Sequence, residues 1–261
     1  STIIGTRSFG DDPEKAGILG GAWASGSEAA GVIPTVKHFP GHGDTRFDSH
    51  INLPSIEVDF DTFTKRELVP FMYLIKQNVP AVMSGHLSFP KIDPSGTPAS
   101  LSKYFLTDLL RGQLGYKGLI ITDDMMMNGA TMFAGSVSSA FRMAIEAGND
   151  IVISSTTARL NEALWTNNLN LIKTDEAFYE RVKDAAYRVV KAKLEYFKGS
   201  NVAPLYPNPN TIGQFIPDKD GQKFFLEQAC RSITLYKKTN FPVKAQDAGK
   251  VLLAGSLPRF F

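Results

Sequence analysis

Cysteine is almost absent, with Cys230 the single one in 261 residues. That excludes an intrachain disulfide framework and any paired-cysteine metal site. Long apolar runs are missing too; none approaches the ~20 residues that a bilayer-spanning helix needs. No stripe of one charge stands out, since 28 Lys and Arg against 26 Asp and Glu leave a scattered net +2. A nucleic-acid surface needs clustered basic residues, so no nucleic-acid partner is expected. Neither a G-x-S-x-G elbow for serine chemistry nor an H-E-x-x-H zinc pair occurs. At 43% hydrophobic and 21% charged residues, the composition is that of an ordinary folded domain. The chain opens at Ser1 without Met or a signal pattern, and only five residues follow the apolar run Val251–Ser256. We therefore expect a segment of a longer protein.

Apolar stretches and helical patterns alternate along most of the chain. Asp12-Pro13 is a helix start, with a side-chain cap and proline in the first turn, and Gly31 is its stop. Val32–Lys37 reads as a short strand running into a loop rich in glycine and histidine. Residues 61–77 read as helical with a kink at Pro70, Ala81–Gly85 as a second strand, and residues 102–114 as helical again. Gly118–Thr122 is an uninterrupted apolar run of the kind buried on both faces of a parallel sheet. A helix over 136–147, a fourth strand at Asp150–Ser154, and helices near 157–172 and 175–197 follow. This alternation predicts an α/β fold with a parallel sheet. Residues 199–220 carry Pro204, Pro207, Pro209 and Pro217 among asparagines and aspartates, and read as a linker. Beyond it, helical 221–230 and strands at Ile233–Tyr236 and Val251–Ala254 read as the start of a second α/β domain over 221–261. Four strands do not close a barrel; eight are needed, so a barrel requires about four more upstream of Ser1.

All four histidines, His38, His42, His50 and His86, lie between positions 38 and 86, each at or just beyond the end of an expected strand. Parallel α/β folds bind ligands at the carboxyl ends of their strands, and polar residues there are poor packing material. The densest stretch, Lys37–His50, supplies two cations, three imidazoles and two carboxylates. Within it, Asp48-Ser49-His50 sets an acid beside an imidazole, which favours imidazolium and makes a proton donor near neutral pH. Asp123 ends the third strand, where an acid has no packing role; to act as a nucleophile it needs hydrogen bonds or a cation to keep it ionised. Asp124 is adjacent, but successive side chains at a strand end point opposite ways. Each residue also has a plain reading: Asp123 as a helix cap, Lys37 as a solvated lysine, Arg7 as a surface ion pair, His42 as a loop brace, His86 as a hydrogen-bonded support. Met125, Met126 and Met127 read as packing beneath the site. His38, His42 and Asp44, with Asp48 and His50, also offer ligands for zinc or a hard divalent ion, which makes a metal-dependent hydrolase the sharper rival.

At these residues the sequence resembles the β-N-acetylglucosaminidase branch of glycoside hydrolase family 3. KHFPGHGDT with the trailing DSH, GLIITDD, and the opening IIGTRSFGDDPEKA carry the likeness, which runs from about Ile3 to about Tyr196 and more weakly into RSITLYKK. The resemblance implies that residues 1–198 are the C-terminal half of a (β/α)8 barrel. It implies a nucleophile at Asp123, a general acid/base at His50 partnered by Asp48, and sugar contacts from Arg7, Lys37 and His38. It also implies a retaining hydrolase acting on terminal β-linked N-acetylglucosamine of muropeptides or chitin fragments, without a cofactor. The family's sugar-gripping aspartate lies upstream of the positions this chain covers, so the other barrel half is expected to be required. A retaining glycosidase needs one carboxylate at the anomeric carbon and one proton donor at the leaving oxygen, and here the donor would be an imidazolium. Whether water or phosphate resolves the intermediate is open at this level. A β-glucosidase or β-xylosidase of the same superfamily is the runner-up, disfavoured by the DSH element. The layout suggests the cell envelope or exterior, with the cytoplasm as alternative.

Overall fold

The computed structural model describes residues 4–45, 53–156, 159, 162–198, 206, 208–216 and 218–233. The chain divides into two compact units, residues 1–204 and 205–261.

In the first unit, four strands form one sheet in the order β1-β2-β3-β4, every neighbouring pair parallel. They are β1 (Thr35–Phe39), β2 (Ala81–Ser84), β3 (Leu119–Asp124) and β4 (Ile151–Ile153). Sequence order and sheet order coincide because each connection crosses back through helix, which is the only economical way to join parallel neighbours. Helix α1 (Pro13–Ala29) begins where expected: the Asp12 carboxylate accepts the Glu14 and Lys15 N–H groups, with Pro13 in the first turn. Gly31 ends it at φ +76°, a conformation that only glycine takes without cost. The helical stretch around Pro70 is broken rather than kinked. A turn at Phe60–Thr62 passes into a wide π-type segment, Phe63–Glu67, and α2 (Val69–Lys76) restarts with Pro70 in its first turn. Between β2 and β3 runs a π-type helix, Tyr104–Gln113, and after β3 come α3 (Asn128–Ala134) and α4 (Val137–Ala147). Helices α5 (Ala163–Thr174) and α6 (Glu176–Phe197) close the unit. Helix α3 had no counterpart in the sequence pattern, whose glycine, threonine and asparagine disguise it.

The core is aromatic. Phe39, Phe63, Phe71, Phe89 and Phe105 pack with Val82, Ile120, Leu106 and Leu110. Edge-on contacts join Phe39 to Phe71 and Phe63 to Phe89, each pair with centroids 5.3 Å apart, the favoured geometry for ring quadrupoles. The apolar run of β3 was expected to be buried on both faces. Leu119 and Ile120 are buried, but Ile121 is only half-buried, as are all three residues of β4. Burial in β3 falls off toward its carboxyl end, and β4, last in the strand order, is half-buried on both faces; that is the correction.

In the second unit, Pro209–Thr211 and Ile212–Phe215 are single helical turns inside the stretch read as linker. Helix α7 (Lys219–Arg231) follows, capped by the Asp218 carboxylate on the Asp220 and Gly221 N–H groups. The strands expected at Ile233–Tyr236 and Val251–Ala254 lie outside the described residues, apart from Ile233 itself.

At the amino end of β4, away from the histidines, the Asp150 side chain is fully buried. Its carboxylate accepts from Arg111 at 2.5 Å, from Arg181 at 3.0 Å and from the Ile120 N–H at 2.9 Å. The two guanidiniums also bond the backbone carbonyls of Tyr116, Gly118, Ile145 and Asn149, so the charges are multiply satisfied. This ties the π-type helix, β3, β4 and α6 together at one point. Asp150→Asn leaves the mostly buried Arg111 guanidinium without a counter-charge and Arg181 with only the exposed Asp184, at a cost of about 3–5 kcal/mol. Chemical denaturation of the variant checks this; a loss below about 1 kcal/mol would show the network to be dispensable.

Candidate active site

The sheet sets its carboxyl-end residues along one rim, and bulges decide which way they point. The pairing of β2 with β3 is regular from Ala81↔Leu119 to Ser84↔Thr122. Register shifts break the flanking pairings between Lys37 and Phe39 in β1 and between Ile121 and Asp124 in β3. A bulge inserts an unpaired residue and re-aims its side chain. His38 is that residue in β1. At the β3 irregularity, the Thr122 hydroxyl accepts the Ile153 N–H at 2.9 Å, which replaces a broken ladder bond.

His38 Nε2 lies 3.5 Å from Asp123 Oδ2. The two residues belong to β1 and β3, so their side chains meet across the end of β2. What lies beneath the crossing is Gly85. A Cβ there would stand 3.0 Å from His38 Cβ, closer than packed side chains tolerate without moving. Glycine at 85 is therefore favoured by close approach rather than by its own backbone angles, since with a Cβ the His38 and Leu87 side chains would have to give by a few tenths of an ångström. The other Asp123 oxygen, Oδ1, accepts the Asp124 N–H at 2.9 Å.

Asp124 turns elsewhere. Its Oδ1 accepts the Met126 N–H and the Ser155 N–H, both at 3.0 Å. Burial pushes this carboxyl up, yet those hydrogen bonds outweigh it and hold it below the usual carboxylate range. The paired acids thus divide as the alternation argument requires: one faces His38, the other fastens the turns after β3 and β4.

Burial lowers the His38 imidazole to about 3, helped by neighbouring His42, Lys37 and Arg7 and opposed by Asp123. His38 is thus neutral near pH 7. Its contact with Asp123 is a neutral N–H facing a carboxylate, not an ion pair. His42 Nδ1 contacts the Thr45 hydroxyl at 2.8 Å, and the ring stands edge-on to His38 at 5.1 Å, so His42 braces the loop. Asp44 does not join the histidines. Its carboxylate accepts from Arg66 at 2.8 Å, while Arg66 also pairs with the mostly buried Glu67. Among the described residues no three His, Cys, Asp or Glu side chains gather as a metal ion would need, so His38, His42 and Asp44 form no metal site among themselves, while Asp48 and His50, the other two expected ligands, lie outside the described residues.

Arg7, Lys37, His38 and His42 line a cavity of about 520 Å³, a volume suited to a small ligand, with Phe9, Trp23 and Leu74 on its apolar side. Asp123 is not in its wall; His38 stands between the two. Arg7 Nε bonds the Ile4 carbonyl at 3.3 Å, and its side chain is exposed. Met125 and Met127 are buried, as packing beneath the site requires. Asp48 and His50, expected as the acid/base pair, lie outside the described residues. His86 is buried, with its Nδ1 2.7 Å from the Ser100 hydroxyl and its Nε2 3.0 Å from the Asp124 carbonyl. The sequence left its partners unassigned, because neither Ser100 nor Asp124 is near it in the chain.

His38 predicts a pH dependence of stability. Its folded value is depressed below the ordinary 6.5, so the native state resists protonation where the unfolded chain accepts it. The stability it confers is complete above pH ~6.5 and is lost toward pH ~3, at up to about 1.4 kcal/mol per pH unit. Denaturation of wild type and His38→Asn across that window tests this. Parallel curves for the two proteins would refute a neutral buried His38.

No helix among the described residues is long and apolar enough to cross a membrane. Residues 1–192 match the family model described as the glycosyl hydrolase family 3 N terminal domain. Beta-hexosaminidase A of Pseudoalteromonas piscicida is 30% identical over 280 residues, covering 88% of this chain and 46% of that protein. A beta-hexosaminidase of Pseudomonas aeruginosa (strain LESB58) is 40% identical over 151 residues, 58% of this chain and 44% of the relative. A solved glycoside hydrolase family 3 beta-N-acetylglucosaminidase from Paenibacillus sp. str. FPU-7 superposes with a TM-score of 0.80 at 32% identity, over 94% of this chain and 46% of that one. The chain thus spans about half the length of the relatives it matches. With four parallel strands in sequence order and a matched stretch that takes in the whole sheet, the chain belongs to glycoside hydrolase family 3, with residues 1–192 in its N-terminal domain.

Proposed function

We propose that this chain carries the catalytic centre of a retaining β-N-acetylhexosaminidase that removes terminal β-linked N-acetylglucosamine from muropeptide or chitin-type oligosaccharides. The observation that carries this reading is the meeting of Asp123 with a neutral imidazole, His38, across the end of β2, beside a small-ligand cavity. A glycosidase nucleophile must be an ionised carboxylate with one oxygen free to reach the anomeric carbon. The Asp124 N–H holds Oδ1 of Asp123, and the looser 3.5 Å contact with His38 leaves Oδ2 available. A neutral His38 fits this task better than an imidazolium would, since a full positive charge there would weaken the nucleophile. Arg7 and Lys37, which line the cavity with His38, are suited to donate hydrogen bonds to sugar hydroxyls.

In this mechanism Asp123 attacks the anomeric carbon while His50, oriented by Asp48, protonates the departing oxygen. The glycosyl ester is then resolved by water from which His50 takes a proton. The charge on Asp123 is consumed in the first step and restored in the second, so no cofactor is called for. The names of the relatives favour the N-acetylglucosamine specificity over a β-glucosidase or β-xylosidase. We propose further that β1–β4 are one half of a (β/α)8 barrel, with both sheet edges paired by additional strands. In the same reading, residues 199–220 connect the barrel to an α/β domain that opens with α7.

Kinetics of two variants in the full-length protein test the chemistry. Asp123→Asn should abolish turnover of 4-nitrophenyl N-acetylglucosaminide, by about 10³-fold or more, with the fold intact. His50→Ala should slow substrates with poor leaving groups far more than activated aryl ones, because protonation matters less for the latter. Near-normal activity of the first variant removes the nucleophile assignment; equal losses on both substrate types for the second remove the acid role.

A further inference from the structure

The end of β2 contributes two residues that the proposed mechanism does not use. Gly85 clears the space in which His38 crosses toward Asp123, and His86 lies on the opposite side of the same turn. His86 is buried and bonded at both ring nitrogens. Its Nε2 is 3.0 Å from the Asp124 carbonyl, which can only accept, so Nε2 carries the proton. In the neutral ring Nδ1 is then the acceptor, and the Ser100 hydroxyl at 2.7 Å donates to it.

Ser100 is held in turn. Its N–H donates to the Gly85 carbonyl at 3.1 Å, and its own carbonyl accepts from Asn149 Nδ2 at 2.8 Å. Asn149 Oδ1 accepts from the Ser84 hydroxyl at 2.7 Å, which returns the network to β2. Ser84, His86, Ser100 and Asn149 are all buried. A buried polar network of this kind is costly unless every member is satisfied, and once satisfied it fixes geometry.

We propose that His86 is a positioning residue for the nucleophile, acting through the Asp124 backbone; this rests on the reading of Asp123 above. Asp124 is the residue whose N–H holds Asp123 Oδ1 at 2.9 Å. It is tied on one side by its own turn, through the Met126 and Met127 N–H groups, and on another by Ser155 beyond β4. His86 is the tie from β2. The Met127 bond to the same carbonyl travels with the turn, whereas His86 is anchored through Ser100 and Asn149 to the body of the sheet. Gly85 governs where His38 lies and His86 governs where Asp123 lies. Adjacent residues on one turn thereby set the separation of the pair.

The experiment replaces each ring nitrogen separately in the full-length protein. His86→Gln can present an amide N–H at the Nε2 position and keep the bond to Asp124. His86→Asn reaches only the Nδ1 position and loses it. His86→Asn should lower kcat on the aryl N-acetylglucosaminide about 10- to 100-fold with KM within about twofold, and His86→Gln should recover most of the loss. Equal losses in both variants, or a loss carried by KM alone, would reduce His86 to packing and overturn the proposal. Should neither variant fold, nitrogen NMR of the wild type still decides the matter. A ring protonated at Nε2 across the range of activity supports the proposal; a ring protonated at Nδ1 alone overturns it. Near-normal turnover by Asp123→Asn would instead remove the reaction that His86 serves, while leaving the ring's protonation measurable on its own.

Discussion

Regular pairing of β2 with β3 is the constraint on which the remaining geometry depends. Four residues of each strand match without a shift, and the buried Val82 and Ile120 sit side by side on the aromatic core. Both flanking pairings depart from register close to the carboxyl end of the sheet. A regular ladder would leave His38 on the same side as Val36, two residues before it. The bulge frees it to cross toward Asp123, and the hydroxyl of Thr122 replaces a ladder bond lost on the other side. The rigid centre therefore permits irregular flanks, and the irregular flanks carry the chemistry.

Charge is handled differently at the two ends of the sheet. Asp150 is buried between two guanidiniums and a backbone N–H, a fully compensated arrangement that binds four elements. At the other end burial acts on a single imidazole. It removes the positive charge from His38 instead of pairing it, because Asp123 offsets only part of the desolvation. One end is organised for cohesion. The other keeps a carboxylate against a neutral ring that lines a cavity, with polar side chains behind them fixing the backbone.

Much of the fold was legible in the chain. The cap at Asp12-Pro13, the stop at Gly31, the apolar run that became β3 and the strand–helix alternation all act through local backbone preferences, which sequence spacing records. The expected strand at Val32–Lys37 came out shifted to Thr35–Phe39, since an apolar run marks burial and not hydrogen bonding. The break at Pro70 was visible, but not the π-type turns on either side, which answer to core packing around Phe63 and Phe105. The unexpected half-exposure of Ile121 has the same origin, because coverage of a sheet face belongs to whatever packs on it.

For the site, residue types and chain positions were enough to single out Lys37, His38 and Asp123, since acids and imidazoles at strand ends have no packing purpose. Arg7 came from the family likeness alone. Sequence could not say that Asp44 would turn to Arg66, that His42 would brace its own loop, or that His38 would be neutral. Those outcomes depend on burial and on partners distant in the chain. The close approach at Gly85 and the partners of His86 are of the same kind: a missing Cβ beside that of His38, and a carbonyl 38 positions away. The sequence determined which groups stand at the rim of the sheet, because the period of a strand is local. Only the tertiary structure decided which of them face one another, because bulges and close approaches exist between strands and not along them.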